Sequence, residues 1–335
     1  MTAISGGAKD KFDITIRIVP IGNAVARAIS TRTGATQFWG SCSADLACTE
    51  GIFDFATIDW GPQPLRVLGL ADRTTNFSLA ATKKSGVKTV AACKGKKVAW
   101  IIGNPTINMQ TEGFLAFGGL TLDDVELVEV PGYSASLKAM VAGKVDVACC
   151  GGGSTGSYEI AASPQGIFWI PFPKSDTEGW KRLQAKAPFV APTVVKEGAG
   201  ITAPIEASTY PCPILVTWAD QDEALCYWIT KSIVEAWDIY KDVMKPEPEA
   251  WHIDEMLGAW LREPWHEGSV RYFKEIGKWT DEMEKVQQGL LKRQKVLSEA
   301  FEAAKTEALD KGMKAKEFPD FWMEKRVEAL KAAGF

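Results

Sequence analysis

KGKKVAWIIGNPTINMQTEGFLAF, Lys94 to Phe117, decides the fold. Residues 98–102 read as a short buried strand, Gly103-Asn104-Pro105 as a tight turn, and a helix begins near Thr106. A strand that ends in Gly and small polar residues leaves the first amides of the next helix unpaired. Together with the positive end of the helix dipole, those amides suit an anion. Ile21-Gly22-Asn23, Gly40-Ser41-Cys42-Ser43 and Gly151-Gly152-Gly153-Ser154 read as the same device.

Outward from this stretch the pattern repeats. Residues 12–19, 37–39, 53–58 and 77–82 read as strands, with helices opening at Ala24 and Ala44. The strand 53–58 delivers Asp59-Trp60, and Asp59 either caps the following turn or meets a ligand's ammonium or hydroxyl group. The order then restarts with strands 98–102, 125–130, 145–149 and 167–170 and helices 108–117, 134–141 and 158–162. Strand, turn and helix recurring in two blocks predict parallel α/β layers, whose ligands bind beyond the carboxyl ends of the strands. After strand 214–217 helices take over: 222–240, 253–261, a long amphipathic one from Trp279 and a short last one from Phe318. The polar start of the chain reads as frayed.

The totals exclude several classes. At 335 residues the chain accommodates two domains, and 24% charged against 46% hydrophobic residues is a globular composition. A net charge of −4 with scattered Lys and Arg argues against a nucleic-acid surface. Seven cysteines lack zinc or CxxC spacing and read as small buried hydrophobes. A Cys42–Cys48 bridge stays open in an oxidising compartment, although the count mildly favours a reducing one. The two histidines, His252 and His266, lie away from the small-residue turns, so a His triad or metal site is not expected. Gly151-x-Gly153-x-x-Gly156 fits the dinucleotide fingerprint, but no acidic residue follows where the ribose needs one. No cofactor and no metal are expected.

The order of pieces resembles the solute-binding subunits of tripartite ATP-independent periplasmic (TRAP) transporters, in their TAXI branch. The stretches that carry it are SLAATKKSGVKTVAACKGKKVAWIIGNPTINMQTEGFLAFGGL (78–120), SASLKAMVAGKVDVACCGGG (134–153), PILVTWADQDEALCYWITKSI (213–233) and PWHEGSVRYFKEIG (264–277). The resemblance implies an α/β, type II periplasmic-binding fold: two α/β lobes around a hinge, with a helical C-terminal extension. Lobe 1 is then 12–90 plus 213–279, lobe 2 is 91–212, and 280–335 is the extension. Carried over by position, the ligand-binding residues are Ile21, Gly22, Asn23, Gly40, Ser41, Cys42, Asp59, Trp60, Asn104, Thr106, Asn108, Gly152, Gly153 and Ser154. The implied protein is no enzyme but a periplasmic receptor, monomeric or dimeric, its secretory leader lying outside this chain. It hands a small-molecule carboxylate, organic acid or amino acid, to membrane permease subunits. The family's Tyr pair before the first helix is absent here, so ligand identity does not transfer. Two rivals are a cytoplasmic α/β enzyme acting on a keto acid or nucleotide and a helical interaction protein built on the tail.

Overall fold

The computed structural model describes residues 2–21, 24–41, 44–71, 77–243, 248–259 and 263–335. In chain order the elements begin with α1 (Thr2–Phe12), α2 (Ala24–Arg32), β1 (Trp39–Ser41), α3 (Ala44–Glu50) and β2 (Leu65–Leu70). Next come β3 (Phe77–Thr82), β4 (Lys97–Ile101), α4 (Pro105–Phe117), β5 (Glu126–Val130), α5 (Tyr133–Val141) and β6 (Val147–Gly151). They are followed by α6 (Thr155–Ala162), β7 (Ile167–Trp169), α7 (Thr177–Lys186), β8 (Ala191–Val195) and β9 (Ile205–Thr209). The chain closes with β10 (Ile214–Trp218), α8 (Glu223–Glu235), α9 (Trp237–Tyr240), α10 (Ile253–Gly258), α11 (Glu267–Glu275), α12 (Asp281–Asp310) and α13 (Phe318–Ala332). This is an α/β chain with a helical C-terminal extension, the class expected of a type II periplasmic-binding fold. It divides into unit 1, Met1–Ala71 with Cys212–Phe335, and unit 2, Asp72–Pro211. Strand β3, which the sequence reading put in lobe 1, therefore opens unit 2, and α12 and α13 lie in unit 1.

Unit 2 contains the sheet β5-β4-β6-β3-β7. Strand β4 runs parallel to β5 and β6, while β3 is antiparallel to both β6 and β7. Leu137, Met140, Ile160 and Trp169 pack with Ala99, Ala148 and Cys150 of the strands. Around α4 and α7, Phe114, Phe117, Phe172 and Trp180 form an aromatic cluster with centroid separations of 4.9–6.2 Å. Gly113 allows the close approach, since a Cβ there meets the Ala187 Cβ at 3.0 Å.

Unit 1 holds the sheet β1-β10-β2, antiparallel at both pairings, which corrects the expectation of a second parallel block. Its core joins Leu65, Leu68 and Leu70 to Val216, Ile229, Ile233, Trp251 and Phe273. Three local readings change. The start of the chain is not frayed: Ile4, Gly7 and Ala8 form a buried stripe at helical spacing, and Gly7 lies against Ala236 and Tyr240. The segment 12–19 is β-branched but joins no ladder; Ile14 N bonds to Ala8 O, and Ile16 O accepts from Ser5 Oγ. The expected strand 53–58 is a 3-10 turn at Phe53–Phe55, with Phe53 at φ 55° and Gly61 N donating to Phe55 O at 3.0 Å. Here the ring of Phe55 sinks into the core, and Trp60 packs edge-on against it at 5.0 Å.

Candidate functional site

Because β4, β5 and β6 are parallel, their carboxyl ends share one edge of the unit-2 sheet, and α4, α5 and α6 start there. Asn104 caps α4: its Oδ1 accepts from Ile107 N at 3.2 Å, and Pro105 follows in the first turn, where no N–H is missed. Ser154 caps α6 in the same way, its Oγ accepting from Ser157 N at 3.3 Å. Tyr133, at the start of α5, reaches the α6 cap. Its hydroxyl donates to Ser154 Oγ at 3.3 Å and accepts from Gly151 N at 3.0 Å. Burial pushes the Tyr133 phenol up to about 12, so it is a neutral donor at physiological pH. Three helix N-termini on one edge give this end of unit 2 a positive polarity built from neutral groups.

Two further groups lie along α4. Thr106, 2% exposed, has a hydroxyl with no hydrogen-bond partner; one turn deeper, fully buried Gln110 has none for either amide atom. Residues four apart share a helix face, so both belong to one polar row. Neither Gln110 nor Tyr133 was singled out from sequence. The Thr106-x-x-x-Gln110 spacing inside an apolar helix was the available signal. For Tyr133 it was its place after Pro131-Gly132, matching that of Asn104 after its own strand.

Asn108 is engaged locally: its amide donates to Ile101 O at 2.8 Å and accepts from Ile101 N at 2.9 Å, so its oxygen and one of its two N–H groups are held by β4. The Gly152 carbonyl is likewise engaged, by Ala199 N at 2.9 Å, while Gly153 is exposed beside it.

In unit 1, Ile21 and Gly40 border a cavity, and the Gly40 carbonyl accepts from Arg27 Nη1 at 2.9 Å. Ser41 ends β1. Gly22, Asn23 and Cys42 lie outside the described residues, as does Ser43 of the Gly40–Ser43 turn. Asp59 is exposed and follows no strand; Trp60 is half-buried, with the Arg32 guanidinium 4.6 Å from its ring centre. The two histidines cap helices: His252 Nδ1 accepts from Asp254 N and His266 Nδ1 from Gly268 N. Burial lowers the His266 pKa, keeping the ring a neutral acceptor. Among the described residues no group of three His, Cys, Asp or Glu is placed to hold a metal ion, and no helix is long and apolar enough to cross a membrane.

Cysteines divide by environment. Cys48, Cys93, Cys149, Cys150 and Cys226 are free and buried, which removes a Cys42–Cys48 bridge, and Cys212 is disulfide-bonded. A disulfide fits an oxidising compartment, against the mild preference read from the count.

A model of the NMT1-like family matches residues 61–277. Similar solved structures include the alkanesulfonate-binding protein SsuA from Xanthomonas axonopodis pv. citri bound to MOPS, at 13% identity and TM-score 0.46, covering 89% of this chain and 86% of that one. Another is PhnD1 from Prochlorococcus marinus in complex with methylphosphonate, at 11% identity and TM-score 0.42, covering 83% and 92%. A third is the amino acid ABC transporter substrate-binding protein AbpA from Streptococcus pneumoniae bound to L-arginine, at 11% identity and TM-score 0.41, covering 87% and 82%. Comparison with curated protein sequences gives no match.

Proposed function

The chain belongs to the NMT1-like family, and we propose that it is an extracytoplasmic solute receptor that captures a small organic acid or amino acid without breaking a bond. One observation carries the reading: α4, α5 and α6 begin on a single edge of unit 2, with the Tyr133 hydroxyl, the Thr106 hydroxyl and the Asn104 amide among them. Such an edge favours a negatively charged guest through backbone N–H groups and neutral donors, with no acid–base pair required. Our ligand set keeps Asn104, Thr106, Gly152, Gly153 and Ser154 from the sequence, adds Tyr133 and drops Asn108. From unit 1 it keeps Ile21, Gly22, Asn23, Gly40, Ser41, Cys42, Asp59 and Trp60. The finer assignment, a periplasmic TAXI-type subunit delivering a carboxylate to a TRAP permease, rests on the four stretches quoted from the sequence.

Thermal scanning of the full chain against small carboxylates, amino acids, sulfonates and phosphonates tests it. A true ligand at a hundred times its Kd adds about 2.7 kcal/mol and raises the midpoint by several degrees. Tyr133→Phe and Thr106→Val should each reduce that shift. If no carboxylate moves the midpoint, the carboxylate reading fails. If the ligand is recovered chemically altered, the receptor reading fails.

A further inference from the structure

Unit 1 contains a cavity of about 570 Å³, within the size range of small-molecule sites. The segment 14–21 forms one wall, Leu225, Ile229 and Ile233 of α8 another, and Phe38 and Trp39 a third. The charged residues along it are Arg17 and Arg27, and among the described residues no carboxylate borders it. Two buried donors meet at the β1 end. Trp39, 4% exposed, has an indole N–H with no hydrogen-bond partner. Arg27 has a buried Nε–H with none, while its Nη1 is held by the Gly40 carbonyl. The guanidinium carbon stands 6.0 Å from the Trp39 ring centre, so the two donor-bearing groups are neighbours. Asp45 attracts Arg27 electrostatically but is not part of the lining.

An aliphatic trough with a cation and two unengaged N–H groups at one end matches a molecule that is apolar along its length and anionic at its tip. We propose that this cavity is a binding site for an apolar-tailed carboxylate. Its oxygens accept from Trp39 Nε1 and Arg27 Nε, and its tail lies along Ile14, Ile16 and Ile229. The site uses unit-1 residues alone; it shares Ile21 and Gly40 with the ligand set proposed above but does not depend on the strand-end edge of unit 2.

Titration calorimetry of the full chain with sodium octanoate, octan-1-ol and octylammonium chloride tests it. Octanoate should bind saturably and at least tenfold more tightly than the alcohol or the amine. Trp39→Phe, which keeps the ring and removes the N–H, should weaken octanoate at least fivefold and leave octanol unchanged. Arg27→Gln should weaken it further; if that variant misfolds through loss of the Gly40 contact, Trp39→Phe decides. Thr106→Val and Tyr133→Phe should leave octanoate unaffected, whatever they do to the solute proposed above. The proposal is overturned by absent or unsaturable octanoate binding, by octanol binding equally well, or by an unchanged octanoate Kd in Trp39→Phe. Loss of octanoate binding in the unit-2 variants overturns it too, because the molecule is then held at the other site.

Discussion

Asn108 donates to and accepts from a single residue, Ile101, three residues past the point where β4 is paired with β6 at Val98 and Val147. The side chain stands in for a strand that is no longer there. Replacing it with Ala leaves one buried N–H and one buried C=O unpaired, at about 1–3 kcal/mol each. Asn108→Ala should therefore lower stability by ~2–6 kcal/mol, read as a reduced urea midpoint at constant slope. The neighbouring caps were legible, because Asn104 before Pro105 and Ser154 after three glycines are start signals written locally. Asn108 was not. Its donor and acceptor look the same in sequence whether they meet a ligand or the backbone seven residues earlier, and only the end of the β4–β6 ladder distinguishes them.

Helices α3, α12 and α13 meet at a buried carboxylate. Glu50 accepts two bonds of 2.7 Å from Arg293 Nε and Nη2 and a third contact from Arg326. Burial by itself raises the Glu50 carboxyl, but the two guanidinium groups more than offset this and hold it below the usual carboxylate range. A depressed folded pKa gives stability that is fully present above the unfolded value near 4.3 and is lost as pH falls through the folded one. Glu50→Ala should cost about 3–5 kcal/mol at pH 7, since both arginines lose their partner in a dry site. The difference from the parent chain should shrink below about pH 4. Urea unfolding at the two pH values checks both statements. Beside this cluster, Gly61 sits at φ 63° and a Cβ there falls 2.4 Å from the Phe301 ring. Gly61→Ala should undock α12 and lower the thermal midpoint, an effect visible by circular dichroism.

At this scale the sequence reading separates into two kinds. Most helix and strand cores of unit 2 were legible because alternation and turn residues mark them. Strand β2, LRVLGL, was missed: all six residues are buried, so it has no alternation, and Arg66 and Gly69 disguise it. Segment 12–19 misled in the opposite way, with strand composition but no partner, because pairing is decided by the fold and not by propensity.

For the whole molecule, α12 is structural as much as terminal. Gln287 bonds to both Trp265 N and Trp265 O, and Gln294 bonds to Arg66 Nη1 and Leu65 O. Removing residues 280–335 should thus destabilise unit 1 itself, not merely release a tail; a truncated chain that melts like the parent contradicts this. Burial raises the five free thiols, with Cys93, Cys149 and Cys226 at about 12. A disulfide reagent at pH 8 should leave all five unmodified in the native chain and label all five after unfolding, as peptide mapping reports.

The edge where unit 2 departs and returns is a pair of bonded neighbours: Ala71 N donates to Pro213 O and Cys212 N to Ala71 O, each at 2.9 Å. Strands β2 and β10 continue that pairing on the other side. The intervening stretch is in effect a graft in the loop of a hairpin. Excise it, splice the cut ends with an Asn-Gly dipeptide, and a tight reversal closes over the two strands with their register intact. A lineage holding this arrangement can exchange one inserted unit for another by a single recombination, without disturbing the scaffold that receives it.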